Sequence, residues 1–213
     1  MRQAAAVCIA LLSLTGMAPA GPETELSFYG RSGRALGGDV TGNDPTAAGM
    51  FAFPGNWNAS AAQGIRVTFW QSRVFGWGLE FSNSGAVARD EALLAGGLSE
   101  LSLEDGLGLL SVNAYRRSAE PIAGLEPYVG AGLGLALPHL RFDGGGSVTD
   151  ERQLTGATVQ VMAGARYPIG SGLALFGEYQ GSYSMNMADL AGGGSLDAGI
   201  VTNSFNFGIS LGF

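Results

Sequence analysis

The sequence has little charge and, past its first twenty residues, no cysteine. Charged side chains make up 14% of the 213 residues, well below the roughly 25% of ordinary globular domains. The one cysteine, Cys8, lies within an N-terminal apolar stretch. A mature chain without that stretch has neither a disulfide framework nor a thiol nucleophile. A single histidine, His139, is thin material for histidine-based catalysis or a multi-histidine metal site. After residue 20 no apolar run reaches the length of a membrane-spanning helix. No Gly-x-Ser-x-Gly elbow occurs, and the glycine-rich run Gly130–Ala136 lacks the spacing of a dinucleotide-binding turn.

The leader explains part of this. Arg2 gives a positive start, Ala4 to Leu14 is an apolar stretch of signal-peptide length, and Ala18-Pro19-Ala20 supplies small residues before a cleavage point. Residues 1–20 are therefore expected to be a cleaved secretory signal; as a membrane anchor the run is too short. Loss of Arg2 takes the formal charge from −7 by one unit to −8. That balance argues against a nucleic-acid partner, which needs a basic face.

What the chain does have is glycine, 36 residues of it, and alternation. In "VGAGLGLAL", Val129, Ala131, Leu133, Leu135 and Leu137 oppose Gly130, Gly132, Gly134 and Ala136. Those glycines would each cost a helix about 1 kcal/mol, but with a period of two they form one small face opposite one apolar face. Ile65, Val67 and Phe69 oppose Arg66, Thr68 and Trp70; Trp77, Leu79 and Phe81 oppose Gly78, Glu80 and Ser82. Leu110, Val112 and Ala114 oppose Ser111, Asn113 and Tyr115. The segments "TVQVMAGARYP" and "LALFGEYQGSYS" repeat the pattern, the latter with Glu178, Gln180, Ser182 and Ser184 on its polar side. With "TELSFYGR" near the start and "NSFNFGISLGF" at the end, eight strands are expected.

Connections alternate as well. Long ones are expected at about 32–62, 87–105, 143–153 and 187–200, and short ones at about 72–76, 117–124 and 168–172. This order predicts an all-β domain over residues 21–213: an eight-stranded antiparallel transmembrane β-barrel with short periplasmic turns and longer extracellular loops, in a bacterial outer membrane. Closure follows from the solvent, because hydrocarbon offers backbone groups no partner and a closed sheet leaves no free edge. The last strand must pair with the first, which accounts for strict alternation up to Phe213. Eight strands leave an interior that side chains fill, so a diffusion pore is disfavoured.

Arg66, Glu80, Arg166 and Glu178 fall on the inward faces. They are expected to neutralise one another as a plug, since an unpaired buried charge is too costly to keep; placed near the external rim, they would instead shape a polar site for a lipid headgroup. His139 follows Pro138 near the outer end of the fifth strand, where a polar interface residue is the simpler reading. The expected external loops also supply Asp143, Asp150, Glu151, Asp189 and Asp197, with Asn186 nearby. Oxygen ligands of this kind suit hard divalent cations, but a solvated acidic face is the simpler explanation.

Several stretches resemble a known group. "PYVGAGLGLA" (Pro127–Ala136) and the closing strand are similar to small outer-membrane barrels in general. "GNDPTAAGMFAF" (Gly42–Phe53), Pro138-His139, "GEYQGSYSMNMADLAGGGSL" (Gly177–Leu196) and "IVTN" (Ile200–Asn203) resemble barrels assigned as lipid A oxidases in alphaproteobacteria. That resemblance implies oxygen-dependent oxidation of the proximal glucosamine of lipid A to 2-aminogluconate, with a divalent metal ion involved. It implies catalytic roles for Glu178 and Asn186, metal ligation by His139 and Asp189, and lipid A or lipopolysaccharide with other outer-membrane lipids as partners of a monomeric barrel. One departure stands out: where the family carries a His and a Lys beyond the "GLEF" strand, this chain reads Ser82-Asn83-Ser84-Gly85. The alternative from a different class is a non-enzymatic surface barrel with a structural or partner-binding role.

Overall fold

A computed structural model describes residues 23–36, 38–46, 49–54, 57–59, 62–88, 98–146 and 148–213. The expected signal segment lies outside the described residues, as does 89–97 within one expected loop. The described strands run, in chain order, β1 (Glu23–Leu36), β2 (Asp39–Asp44), β3 (Gly49–Pro54), β4 (Trp57–Ala59), β5 (Ala62–Trp70), β6 (Phe75–Ala88), β7 (Glu100–Arg117), β8 (Glu126–Asp143), β9 (Val148–Arg152), β10 (Gly156–Gly170), β11 (Leu173–Asp189) and β12 (Ser195–Gly212).

Eight of them close a ring. The order is β1-β5-β6-β7-β8-β10-β11-β12, all antiparallel, with β12 returning to β1. The closing seam runs from Glu25 opposite Gly212 to Leu36 opposite Val201. It extends to Phe213, whose N–H donates to the Thr24 carbonyl at 2.8 Å. Every strand of the ring thus has a neighbour on both sides, as a sheet immersed in hydrocarbon requires.

The expected alternation is reproduced side chain by side chain. Val129, Leu133, Val161, Leu175, Phe205 and Phe207 point outward and are exposed, while Ser111, Asn113, Gln160, Glu178, Gln180 and Asn206 point inward and are buried. Strand β8 presents its glycines inward because the lumen has no space for more. A Cβ at Gly132 would collide with the Asn113 side-chain oxygen, and one at Gly130 would crowd Tyr115 and Met162. The short connections at 71–74, 118–125 and 171–172 all lie at one rim.

The opposite rim differs from the expected loops. Strands continue well past the ring's lower half: β11 runs to Asp189 and β12 begins at Ser195, so the expected 187–200 loop is a turn of five residues, Leu190–Gly194. The expected 32–62 loop carries the β2–β3 hairpin, which pairs with β12, and β4, which pairs with β6; the 143–153 loop carries β9, which pairs with β8. The reason is a second apolar face. Val40, Leu101, Leu107, Leu109, Leu140, Phe142, Leu196 and Ile200 alternate inward along these extensions and bury together as one core. The Phe51 and Phe142 rings stack there with centroids 5.7 Å apart. The extension is held laterally by an amide clasp: the Gln153 side chain donates to the Asp189 carbonyl at 2.8 Å and accepts from the Asp189 N–H at 2.9 Å, in place of a strand neighbour.

Two substitutions separate the two environments. Leu133→Arg, at the centre of the lipid-facing row of β8, is expected to destabilise the inserted barrel by about 2–4 kcal/mol, the cost of arginine at a bilayer midplane. Phe142→Ala, in the apolar core of the extension, is expected to cost about 3–5 kcal/mol through lost burial and a residual cavity. Urea unfolding from lipid vesicles reads both. A lipid-independent loss at Leu133 would contradict its placement.

Candidate functional site

The barrel lumen is built around Arg66. Arg66 on β5 stands directly opposite Glu80 on β6, and its Nε donates to Glu80 Oε2 at 2.7 Å. The other edge of the guanidinium crosses the lumen to Glu178 on β11, with Nη2 donating to Oε1 at 2.8 Å and Nη1 to Oε2 at 3.0 Å. This is the fork-to-carboxylate geometry that only arginine provides, and the sequence contains no lysine. The guanidinium carbon also lies 5.1 Å from the centre of the Tyr115 ring and 5.5 Å from that of Tyr29.

Neutral groups complete the set. Tyr128 Oη donates to Glu178 Oε2 at 2.9 Å, and Asn206 Nδ2 donates to Glu178 Oε1 at 2.9 Å. Glu178 therefore accepts four hydrogen bonds, as many as a carboxylate ordinarily takes. Gln180 Nε2 donates to Glu80 Oε1 at 3.0 Å, and Gln160 Nε2 to Asn113 Oδ1 at 2.7 Å. Arg31 Nε donates to Ser204 Oγ at 2.7 Å, and Ser204 donates on to Asn206. Each of the eight ring strands contributes a member: Arg31, Arg66, Glu80, Asn113, Tyr128, Gln160, Glu178 and Asn206.

At the lower rim a second set of ion pairs gathers on Arg166. Its Nη1 donates to Glu126 at 2.7 Å, with Glu25 at 3.2 Å and Glu23 at 3.6 Å. Arg117 Nη2 reaches Glu23 at 2.9 Å and lies 4.0 Å above the Trp70 ring.

The four residues singled out in the sequence fall in separate places. Glu178 lies in the Arg66 network, in the half of the barrel nearer the short turns and away from the external rim. Asn186 shares its inward face but sits eight residues farther along β11, about 26 Å at about 3.3 Å per residue. Its side chain is fully engaged: it accepts from Thr155 Oγ1 at 3.0 Å and donates to Ser184 Oγ and the Ala198 carbonyl, each at 3.1 Å. His139 and Asp189 are on the outer wall. His139 Nε2 lies 2.8 Å from Asp150 Oδ1, and Asp189 is held through its backbone by Gln153. The strand wall thus divides the quartet into an inner and an outer pair. Among the described residues, no group of three His, Cys, Asp or Glu side chains is placed to hold a metal ion.

No family model matches the chain, and no curated protein matches it. Solved structures do. Neisserial surface protein A is 12% identical, over 88% of this chain and 96% of that one, with a TM-score of 0.53. That similarity, with the closed eight-stranded ring, decides the fold. The chain is a small bacterial outer-membrane β-barrel. Ail, the attachment invasion locus protein of Yersinia pestis, is 11% identical over 91% of this chain and 99% of its own, at a TM-score of 0.48. OprG from Pseudomonas aeruginosa is 9% identical over 91% and 96%, also at 0.48. None of these similarities ties the barrel to lipid A oxidases.

The sequence placed Arg66, Glu80, Arg166 and Glu178 in the lumen but did not reveal Tyr128, Gln160, Gln180 and Asn206 as their partners. Those residues lie on inward faces by the same alternation. What pairs them is register across the lumen, which no single strand carries. Arg66→Ala strips both Glu80 and Glu178 of their cation and is expected to destabilise the barrel by about 3–5 kcal/mol. Urea titration of the refolded protein measures it, and a loss no larger than that of an exposed Arg73→Ala control would contradict the plug.

Proposed function

We propose that this barrel is a non-enzymatic surface protein whose extracellular extension is its working part, either as a structural element of the envelope or as a platform for a partner. The observation that carries this reading is the filling of the interior. The lower lumen is occupied by the Arg66 network and the upper lumen by the apolar core around Phe142. The side chains best suited to chemistry, Glu178 and Asn186, direct their hydrogen-bonding capacity to neighbours in the barrel. The extension, by contrast, projects from the ring with its own core, which suits a surface built to be met from outside. Lipopolysaccharide is the lipid expected against the upper outer wall, and a single chain suffices to close the sheet.

Oxidation of lipid A remains the competing reading, supported by the resemblance of Gly177–Leu196 and Ile200–Asn203. The two part on the separation of Glu178 from His139 and Asp189 and on the serine and asparagine that follow "GLEF". One measurement distinguishes them. When the protein is expressed in a host with unmodified lipid A, mass spectrometry of the extracted lipid is expected to show no added oxygen, although heat-modified migration proves insertion. A gain of one oxygen that vanishes in Glu178→Gln would overturn the non-enzymatic reading.

A further inference from the structure

A small cavity opens at the lower mouth of the barrel, between the Arg166 cluster and the underside of Arg66. It offers about 20 Å3 of room, the scale of a water molecule or two. Buried polar atoms without a hydrogen-bond partner collect in its lining: Trp70 Nε1, Tyr115 Oη, Arg117 Nη1 and Glu25 Oε2. Arg166 Nε joins them, since it lies 3.2 Å from Glu25 Oε2 but is misaligned for a hydrogen bond. Trp70, Tyr115, Glu25 and Arg166 are each more than nine-tenths buried. An unsatisfied polar group in such a place costs about 1–3 kcal/mol, so several around one cavity require an occupant.

The chemistry of the set selects that occupant. Trp70 and the two arginines only donate, and Glu25 only accepts. A cation would satisfy Glu25 and leave the donors facing it. An anion would meet the donors but also the carboxylates of Glu25 and Glu126, both in the lining. Water donates and accepts, and fits the volume. Above the cavity, the Arg66 network and then the apolar core of Leu107, Leu109 and Ile200 interrupt the path upward.

We propose that the lower mouth is a water-binding vestibule: ordered water enters from the short-turn side, bridges Trp70, Tyr115, Arg117 and Glu25, and stops beneath Arg66. Hydration of the lumen is therefore one-sided.

Hydroxyl radicals generated by X-ray pulses oxidise side chains beside bound water even when those side chains are buried. In the wild-type barrel in nanodiscs, Trp70 and Tyr115 are expected to be oxidised faster than Tyr179, which lies on the lipid-facing row of β11. Ser27→Cys, in the vestibule lining, is expected to be oxidised by hydrogen peroxide, a probe little larger than water, and so labelled by a sulfenic-acid reagent after unfolding, whereas Ser184→Cys, inward-facing above the network, is expected to stay unlabelled. Protected Trp70 and Tyr115 would overturn the proposal, as would equal labelling of the two cysteines, which means a continuous channel. The radical experiment needs no variant and stands if either cysteine barrel fails to insert.

Discussion

A guanidinium buried in a narrow lumen must be neutralised where it lies. Arg66 sits at 4% exposure inside a ring of eight strands, and the transfer penalty for such a charge is several kcal/mol unless it is paired and hydrogen-bonded. The barrel meets that demand with two carboxylates from opposite walls, and the second pairing spans the lumen. An ion pair across a lumen has a consequence that one within a hairpin lacks: it fixes the distance and rotation of β11 relative to β5. Tyr128, Gln180 and Asn206 then satisfy the remaining carboxylate lone pairs, so the charge is held by contacts from several strands.

The interior has two tiers, and each solves the burial problem differently. The lower tier faces lipid outside and is polar inside, the inverse of a soluble domain. The upper tier has the interior of an ordinary globular domain, with apolar side chains inside and acidic ones such as Asp150 and Asp189 outside. Asn186 and Thr155 hydrogen-bond to each other where the tiers meet. The change occurs within single strands: β12 carries Asn206, Ser204 and Thr202 inward in its lower part and Ile200, Ala198 and Leu196 inward in its upper part.

That two-tier character sets what was legible in the sequence. Strand number, pairing order and the sidedness of "VGAGLGLAL" or "LALFGEYQGSYS" follow from a period of two, which is local. The short turns were visible for the same reason. The extension was not: Leu196, Ala198 and Ile200 sit among glycines and aspartates, and their alternation reads as a loop until the facing Leu101, Leu107 and Phe142 are known to meet it. The four candidate residues lie apart for a related reason. Glu178 and Asn186 share a face by parity, and His139 and Asp189 share the opposite one. Parity alone separates the pairs, but the resemblance that gathered the four residues carries no information about which way a side chain points.

The seam between the first and last strands has a bearing on how the molecule comes into being. Ser27 and Ser210 share a hydrogen bond across 183 positions of chain, so the contact that completes the ring is among the most distant in the polypeptide. The entropy of joining such remote ends must be met before most of the seam's bonds can form, and topologies dominated by distant contacts fold slowly. A partial ring would expose two raw strand edges to the bilayer. The ring therefore cannot close until β12, the last of its eight members, has been made.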